Sequence, residues 1–420
     1  MGEWRRCRFD ELASVDRWAI SIGPFGSKVT TRDYRNDGVP FIRGVNLARG
    51  IFVDSGFVFI DENKADEVES AVALPGDLVF TRKGTVGQVS MIPRSSRYAR
   101  YVISGSQVKV RLNEANAVPE FYYYWFASDL GRRSILEHAV TTGVPSLANS
   151  LASIRGLAVP CPPVGEQRAI AEVLGALDDK IALNERICVT GLDLGDSYHQ
   201  VVVDHGGPAQ CATFGQLMAE GSLQFGDGYR TKKAEHGTPG LPILRVAEVG
   251  EGRITPSFGD HVREEFRSAM GSKTSRSGDV VLTTKGTVGR VALISPYDEE
   301  FVYSPQVCFF RPAGDGPISA PFLFHWLRGQ EFWRQAAGMK GQTDMADYLS
   351  LSDIRSLKIS LPTESALAAF DRRCGPLHAR AEAARLENRT LADLRDTLLP
   401  QLVTGKLRVR DAARIVEDEV

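Results

Sequence analysis

The residues of this sequence best suited to chemistry form a short element of Lys, Gly, Thr, Val and Gly that occurs twice. Its two copies are residues 83–87 and 285–289, and each follows an apolar run typical of a β-strand. The glycines permit a positive φ or a close approach of the backbone to a ligand. Lys and Thr beside such a turn are residue types that bind phosphate oxygens and base edges. A hairpin or bulge kept for folding alone would use the same residues, so both interpretations stay open.

Other candidate binding residues lie beside this element or at matching positions in the two halves of the chain. Gln107 and Gln306 occupy similar strand-like contexts. Gln can read adenine through two hydrogen bonds, although a Gln at a strand edge is more often simply solvated. The predicted DNA-contacting set is Arg43, Arg82, Lys83, Thr85, Gln107, Lys109, Arg245, Thr284, Lys285, Thr287, Arg290 and Gln306.

Charge is distributed unevenly along the sequence. The formal net charge of −2 does not indicate a nucleic-acid binder, but the electrostatic footprint of such a protein is local. Residues 78–113 include no Asp or Glu and carry Arg82, Lys83, Arg94, Arg97, Arg100, Lys109 and Arg111. A solvated basic face with no ligand is one explanation, and a polyanionic partner is the better one.

Motifs that would indicate catalysis are absent from the sequence. In residues 80–87 the Lys precedes the Gly, which is the wrong order for a phosphate-binding P-loop, and no G-x-G-x-x-G opens a helix. The stretch 160–163 lacks the Asn or Asp and the aromatic residue of an adenine methyltransferase tetrapeptide. Thr81 and Thr283 stand where a metal-dependent nuclease would need an acid, and the histidines form no HxH or HxxxH pair. The sequence therefore predicts no catalytic residue and no metal site.

Composition limits the cellular context. The 420 residues suggest two to four domains, and no apolar run is long enough for a membrane span. The N-terminus lacks the apolar region of a signal peptide. Six separate cysteines with no CxxC pair favour neither a disulfide framework nor a zinc site, and they predict a reducing cytoplasm.

The sequence is an internal duplication. Residues 76–92 and 278–294 align at an offset of 202 without gaps, and residues 38–43 match 240–245 at the same offset. Each copy begins with short apolar runs broken by Gly and Pro, with helices predicted over 120–136 and 321–337. Each then closes in a long helix. The predicted boundaries are 1–162 and 206–362 for the β-rich domains, 163–205 and 363–400 for the helices, and 401–420 for a tail.

Both long helices carry the alternating three- and four-residue spacing of a coiled coil. Asn184 and Asn388 lie on the two apolar stripes, where a polar residue fixes register at a cost in stability. Pro376 is a potential kink. An amphipathic helix packed on its own domain is the alternative, but matching positions favour antiparallel pairing across a pseudo-twofold axis. The predicted pairing residues are Ile170, Leu174, Leu177, Ile181, Asn184, Leu377, Ala381, Ala384, Asn388 and Leu391.

Three stretches together resemble the specificity subunits of type I restriction-modification enzymes. They are GDLVFTRKGTVGQVSMI, PPVGEQRAIAEVLGALDDKIALNERI and the ending LRDTLLPQLVTGKLRV. The resemblance covers essentially the whole chain, although Glu364-Ser365 replaces the Glu-Gln found at 166–167. It implies an α+β fold with two β-rich target recognition domains, related by a pseudo-twofold axis and joined by two long antiparallel coiled-coil helices.

The same resemblance implies a non-catalytic subunit that reads a bipartite, asymmetric site in double-stranded DNA. Its expected partners are two methyltransferase subunits, which methylate adenine N6, and motor-nuclease subunits. S-adenosylmethionine, ATP and Mg²⁺ would belong to those partners, with no cofactor in this chain.

Three other functions stay open. The first is the specificity subunit of a related system whose methyltransferase and nuclease are fused in one partner chain. The second is a protein-interaction scaffold, which the basic window and the paired Lys-Gly-Thr elements disfavour. The third is an enzyme of unfamiliar chemistry, for which the sequence offers no site.

Overall fold

The computed structural model describes residues 4–26, 28–141, 143–205, 210–339 and 348–419. The chain divides into two units. Unit 1 comprises Met1–Leu183 with Glu387–Val420, and unit 2 comprises Asn184–Leu386. Both divisions fall inside long helices, so each unit includes part of both.

Unit 1 is built mainly from short strands. Its described strands are β1 Arg6–Arg8, β2 Ile20–Ile22, β3 Val39–Ile42, β4 Val58–Ile60, β5 Val72–Ala73, β6 Leu78–Thr81, β7 Val89–Met91, β8 Tyr101–Ile103, β9 Gln107–Val110, β10 Ala139–Val140, β11 Ser146–Leu147 and β12 Ala158–Pro160. One four-stranded sheet has the order β2-β9-β6-β7 and another the order β4-β3-β8-β5. All four residues of β6 are buried, as expected for a central strand between two packed layers.

Most helices of unit 1 share a hydrophobic core with the first of these sheets, whereas residues 62–67 pack with the second. In chain order up to residue 183, the helices are α1 Glu62–Glu67, α2 Pro119–Ala127, α3 Asp129–Leu136, α4 Ser150–Gly156 and the first part of α5, Val164–His205. The single helix predicted over 120–136 is therefore two helices. The break lies at Ser128, whose hydroxyl accepts a hydrogen bond from the Gly131 amide and caps α3.

Unit 2 repeats this plan. Its described elements are β13 Gln210–Thr213, α6 Phe214–Ala219, β14 Leu223–Asp227, β15 Gly240–Leu244, β16 His261–Arg263, α7 Arg267–Met270, β17 Val280–Thr283, β18 Val291–Leu293, β19 Val302–Tyr303, β20 Val307–Pro312, α8 Ala320–Arg328, α9 Gln330–Met339, α10 Leu351–Ser356, β21 Lys358–Leu361 and part of α11, Glu364–Val403. The last helix of the chain, α12 Val409–Glu419, belongs to unit 1.

The two units have equivalent central sheets. The order β14-β20-β17-β18 in unit 2 matches β2-β9-β6-β7 in unit 1, and β15 pairs parallel to β19 as β3 pairs to β8. The predicted α+β class with two β-rich parts and two long helices is confirmed. The bounds of the five predicted segments and the pseudo-twofold axis stay predictions.

An ion pair within each central sheet is also duplicated. In unit 1 the Arg111 guanidinium donates two hydrogen bonds to Asp77, at 2.9 and 3.0 Å. In unit 2 Arg311 donates two to Asp279, both at 2.6 Å, and the Tyr303 hydroxyl donates a third at 2.6 Å. Both carboxylates are buried, so these bonds replace the water that each has lost.

Candidate functional site

The Lys-Gly-Thr-Val-Gly element forms the connection between two antiparallel strands in each unit. In unit 1 it joins β6 to β7, and in unit 2 it joins β17 to β18. Gly84 and Gly286 have φ of 87° and 80°, in the region that favours glycine. A Cβ atom at either position would meet nothing within 4 Å, so these two glycines serve backbone conformation only.

The second glycine of the element serves packing. A Cβ atom on Gly87 would lie 3.1 Å from Leu136 of α3, and one on Gly289 would lie 2.1 Å from the Trp333 ring of α9. Each helix therefore presses directly on the turn. For this glycine the folding interpretation of the element holds.

A second segment of chain supports the turn from the other side. In unit 1 the Gly84 amide donates to the Pro145 carbonyl at 2.9 Å, and the Leu147 amide donates to the Arg82 carbonyl at 2.9 Å. In unit 2 the Leu349 amide donates to the Thr284 carbonyl at 3.0 Å, and the backbone of Lys285 forms an isolated antiparallel β-bridge with that of Tyr348. The turn is thus fixed at both ends, and the side chains between them are presented on a defined backbone.

Those side chains face solvent. Lys83, Thr85, Lys285 and Thr287 are all exposed. Neither ammonium group has a hydrogen bond or ion pair with the residues that the structure describes. Exposed Lys and Thr on a rigid turn can contact phosphate oxygens without first breaking internal bonds.

The residue before each Lys is used inside the protein. Arg82 donates from Nε to the Ser150 hydroxyl at 3.0 Å and from Nη1 to the Gly105 carbonyl at 2.7 Å. Burial lowers the pKa of this guanidinium. Thr284 is buried and donates to the Gln306 carbonyl at 3.2 Å. Both residues hold the turn against the neighbouring strand, which is a positioning role.

Arg43 and Arg245 occupy equivalent positions at the end of β3 and of β15. Each backbone amide donates to a side chain three residues later, Asn46 or Glu248, at 3.0 and 2.9 Å. Arg43 also donates to the Gly56 carbonyl, and Arg245 forms an ion pair with Asp260. Arg290 is exposed and donates to the carbonyls of Val246 and Val249, at 3.3 and 3.4 Å. These three guanidinium groups therefore already have internal partners.

The predicted equivalence of Gln107 and Gln306 is wrong by one residue. Gln107 N donates to Ser104 O, and in unit 2 it is Val307 N that donates to Ser304 O. Since successive strand residues point to opposite faces, this single step separates the two glutamines. Gln107 is buried and accepts from the Ser104 amide at 2.9 Å, whereas Gln306 is exposed in the turn before β20. Only Gln306 is accessible to a ligand.

Lys109 lies in the interior of unit 1. It is 1% exposed, on the strand position that Phe309 occupies in unit 2. Burial lowers the pKa of its ammonium to about 8, and the attraction of Asp77 opposes that shift. A group this inaccessible has a structural role, so its predicted DNA contact has no support in the geometry.

We expect Lys109→Met to stabilise unit 1 by about 1–3 kcal/mol at pH 7, since replacing a buried charge with an apolar side chain of similar size is often stabilising. The folded pKa lies below the ordinary value of about 10.4, so the unfolded state binds more protons between about pH 8 and pH 10.4. The free energy of unfolding of the native protein should therefore gain a rising contribution across this window, and the variant should lack it. Urea unfolding at pH 7 and pH 9.5 measures both effects.

The exposed Lys28→Met is the matched control and should change neither quantity. Equal or lower stability of Lys109→Met at pH 7 would show that the ammonium is stabilised by its surroundings.

The basic window of residues 78–113 is largely neutralised by acids from other parts of unit 1. Arg94 pairs with Glu114 and Glu120. Arg100 pairs with Glu62 and Asp66, and Arg111 pairs with Asp16 and Asp77. The absence of acids from this stretch of sequence therefore does not make the surface around it free of acidic side chains. Among the residues that the structure describes, the exposed cations of the window without an ion pair are Lys83 and Arg97.

The long helices contact each other within each unit. In unit 1 the hydrophobic core includes Ile170, Leu174, Leu177 and Leu391, with Ile181 packed against it. Asn388 donates from Nδ2 to the Ile181 carbonyl at 3.2 Å. Arg395 and Glu387 form ion pairs with Asp178 and Lys180 respectively, both at 3.0 Å. Residues later in α5 contact residues earlier in α11, so the two helices run antiparallel here.

In unit 2 small residues lie where the two helices contact each other. Cys188 packs with Ala381 and Ala384, and its thiol donates to the Ala381 carbonyl at 3.3 Å. Asn184 is fully buried, and Leu377 is half-buried with its carbonyl near Gly191. Small residues permit this approach. The helix α11 continues through Pro376 without ending there.

A buried polar cluster ties α8 to both long helices of unit 2. His325 lies with Nδ1 2.6 Å from an Asp196 oxygen and Nε2 3.1 Å from Nε2 of His378. Burial alone would raise the pKa of Asp196, but hydrogen bonds from His325 and Arg328 outweigh it, so that pKa is lowered. Burial, with repulsion from His325, lowers the pKa of His378 to about 4. The cluster fixes the helices and lies within the fold.

The expectation of six separate cysteines is wrong for one pair. Cys7 and Cys161 form a disulfide, with Cα atoms 6.3 Å apart and a sequence separation of 154. They meet because β1 pairs with β12. Spacing along the chain does not contain this information, and cysteine usage no longer supports a reducing compartment.

Neither a metal cluster nor a membrane-spanning helix is found in the part of the chain that the structure describes. There, no three His, Cys, Asp or Glu side chains are placed to hold an ion. None of its helices is long and apolar enough to cross a bilayer.

Comparisons with known proteins agree with this architecture. Residues 26–189 match the family described as the type I restriction modification DNA specificity domain. The MjaVIII specificity subunit of Methanocaldococcus jannaschii is 21% identical over 322 residues, which cover 73% of this chain and 75% of that protein. The MjaIX specificity subunit of the same organism is 21% identical over 411 residues, covering 92% and 91%.

Among solved structures, the crystal structure of a type I restriction-modification S subunit from M. genitalium has the same fold. The TM-score is 0.58 over 95% of this chain and 96% of that one, at 15% identity. The family resemblance seen in the sequence is confirmed.

Proposed function

We propose that this chain is the DNA-reading subunit of a type I restriction-modification enzyme, because residues 26–189 match the DNA specificity domain of such systems and the similar curated proteins are their specificity subunits. It binds double-stranded DNA at a bipartite, asymmetric site, with one β-rich unit for each half. It directs adenine-N6 methyltransferase subunits and motor-nuclease subunits to that site.

The observation that carries this proposal is the duplicated turn. Each unit has the same four-stranded sheet and presents an exposed Lys and Thr on a connection fixed by two glycines. The cations supply sequence-independent attraction to phosphates. Differences between the units in the surrounding loops supply different base contacts, which makes the recognised site asymmetric.

The long helices provide the spacing between the two readers. Helix α5 has 42 residues and is therefore about 63 Å long at 1.5 Å per residue. Readers that enter successive major grooves need a separation of about 34 Å or a multiple of it. Antiparallel contacts such as Asn388 with Ile181 fix the register between the two helices within unit 1.

Chemistry in this enzyme belongs to the partners. S-adenosylmethionine serves the two methyltransferase subunits, which flip and methylate an adenine, and ATP and Mg²⁺ serve the motor-nuclease. This chain contributes binding energy and specificity without catalysis, and it acts in the cytoplasm, where the DNA is.

The test is single-molecule methylome sequencing of a host that expresses this chain with its neighbouring methyltransferase. We expect N6-methyladenine at one split motif, and no such methylation in a host that lacks this chain. The chain-dependent pattern would give both half-sites at once.

If both proteins are present and associated but no methylation depends on this chain, the proposal that it directs an active methyltransferase is contradicted. Binding of the purified chain to duplex DNA then separates an inactive system from the scaffold function. A protein-interaction scaffold would show no salt-dependent affinity for duplex DNA.

A further inference from the structure

A loop after the first strand of each central sheet carries one highly exposed side chain. In unit 1 the loop follows β2 and exposes 70% of Phe25. In unit 2 it follows β14 and exposes 80% of the Arg230 side chain. These two positions are equivalent, because Ile22 pairs with Val108 as Asp227 pairs with Cys308 at the ends of the matching strands.

A buried glycine anchors each loop in the same way. A Cβ atom on Gly23 would lie 2.1 Å from the Ser104 carbonyl oxygen, and one on Gly228 would lie 2.1 Å from that of Tyr303. The backbone can approach this closely only at glycine. The exposed residue two positions later is therefore held on a defined base.

The loop of unit 1 lies against residues 104–106, which also bond to Arg82 at the start of the Lys-Gly-Thr turn. A Cβ atom on Gly105 would lie 2.5 Å from the Pro24 carbonyl oxygen. The Arg82 guanidinium donates to the Gly105 carbonyl, and the Arg82 amide donates to that of Ser106 at 2.8 Å. Phe25 and Lys83 are thus carried on adjoining segments at one end of the sheet.

Unit 2 has the corresponding connections. The Tyr229 amide donates to the Tyr303 carbonyl at 2.7 Å, and the Thr284 amide donates to the Gln306 carbonyl at 2.9 Å. Lys273 donates to Asp227 at 3.2 Å, and Arg230 forms a longer ion pair with the same carboxylate at 4.0 Å, with 80% of its side chain exposed. The Arg230 guanidinium is therefore available to a ligand while remaining beside the turn that carries Lys285.

We infer that Phe25 and Arg230 are specificity-determining residues, each reading one base pair in its own half of the site; this inference rests on the proposed function. Phe lacks hydrogen-bonding groups and recognises the thymine methyl group by apolar contact. Arg recognises guanine through two hydrogen bonds to O6 and N7. An exposed Phe in one unit and an exposed Arg at the same position in the other give the two halves different base preferences.

The experiment is selection of duplexes from a random library by the full-length chain, followed by sequencing. We expect Phe25→Ala to lower discrimination at one A·T pair of one half by about 4-fold, the value of burying one methyl group. Arg230→Ala should lower discrimination at one G·C pair of the other half by about 5- to 150-fold, the range for losing a bidentate base contact. Arg230→Lys keeps the positive charge but cannot form the bidentate hydrogen bonds, so affinity for DNA should persist while discrimination at the G·C pair falls.

Two further variants complete the design. Phe25→Arg should shift the preference at its position to G·C, which a merely structural role would not produce. Val15→Ala is the matched control, since Val15 is 95% exposed in the same unit, and the neighbouring Ser14 amide bonds to Arg111 at the opposite end of β9. It should leave the selected motif unchanged.

The possible outcomes separate the inference from the proposed function. If the native chain selects no motif, the proposed function itself fails. If the native chain selects a split motif and Phe25→Ala and Arg230→Ala select the same one, the inference is overturned. Changes from both variants within a single half would overturn it as well.

Discussion

Replacing Lys83 and Lys285 together with alanine should weaken binding to duplex DNA by about two orders of magnitude at 50 mM salt. Each phosphate contact contributes about 0.9 to the slope of log affinity against log salt concentration, so the double variant should lower that slope by about 1.8. Each single variant should show about half of this change. The prediction follows from the exposure of both side chains on turns fixed by backbone hydrogen bonds.

Fluorescence anisotropy with a 40-bp duplex, titrated from 50 to 300 mM salt, measures the slope. The electrostatic part of binding does not depend on sequence, so no knowledge of the recognised motif is needed. Lys406→Ala is the control for loss of one exposed positive charge, and Lys109→Met is the control for a buried one. An unchanged slope in the double variant would exclude both turns as phosphate contacts and leave them a folding role alone.

Asp279→Ala should destabilise unit 2 by about 3–5 kcal/mol, because it leaves the Arg311 charge without its partner in the interior. The same substitution removes the acceptor for the Tyr303 hydroxyl and for the Arg276 amide, at 2.6 and 3.0 Å. The effect concentrates on β17 and β20, which the ion pair joins. Amide hydrogen exchange of these strands should accelerate at least about 100-fold wherever it proceeds through unfolding of the unit.

Two controls identify the cause. Asp315→Ala removes an exposed carboxylate from the loop after β20 and should leave exchange unchanged. Adding Arg311→Met to Asp279→Ala should restore part of the lost stability, since the unpaired charge is then gone. If Asp279→Ala proved as stable as the native protein, or if Arg311→Met gave no recovery, the ion pair would not be what holds these strands.

The duplication allowed much of the fold to be predicted. Two matching runs at an offset of 202 imply two similar folds, and the central sheets have the same strand order. The long helices were predictable because a spacing of three and four residues is a local property of the sequence. The break at Ser128 was missed because a capping hydroxyl interrupts a helix without interrupting its apolar character.

The candidate site was predicted less well. Lys83, Thr85, Lys285, Thr287 and Gln306 are exposed as a binding role requires. Gln107, Lys109 and Thr284 are buried, and Arg82 is held by internal hydrogen bonds. Residue type alone does not distinguish these groups, because a Lys or Gln in a short strand faces either layer according to the register.

Local properties of this protein were thus determined by the sequence itself: the repeated strands, the glycine turns and the apolar stripes of two long helices. Tertiary structure alone decided which charges are free. It brought Glu62, Asp66, Glu114 and Glu120 to the arginines of an acid-free segment, paired Cys7 with Cys161, and placed Phe25 beside the turn that carries Lys83. The physical reason is that ion pairing, disulfide formation and accessibility depend on distances in space, which strand pairing sets between residues far apart in the chain.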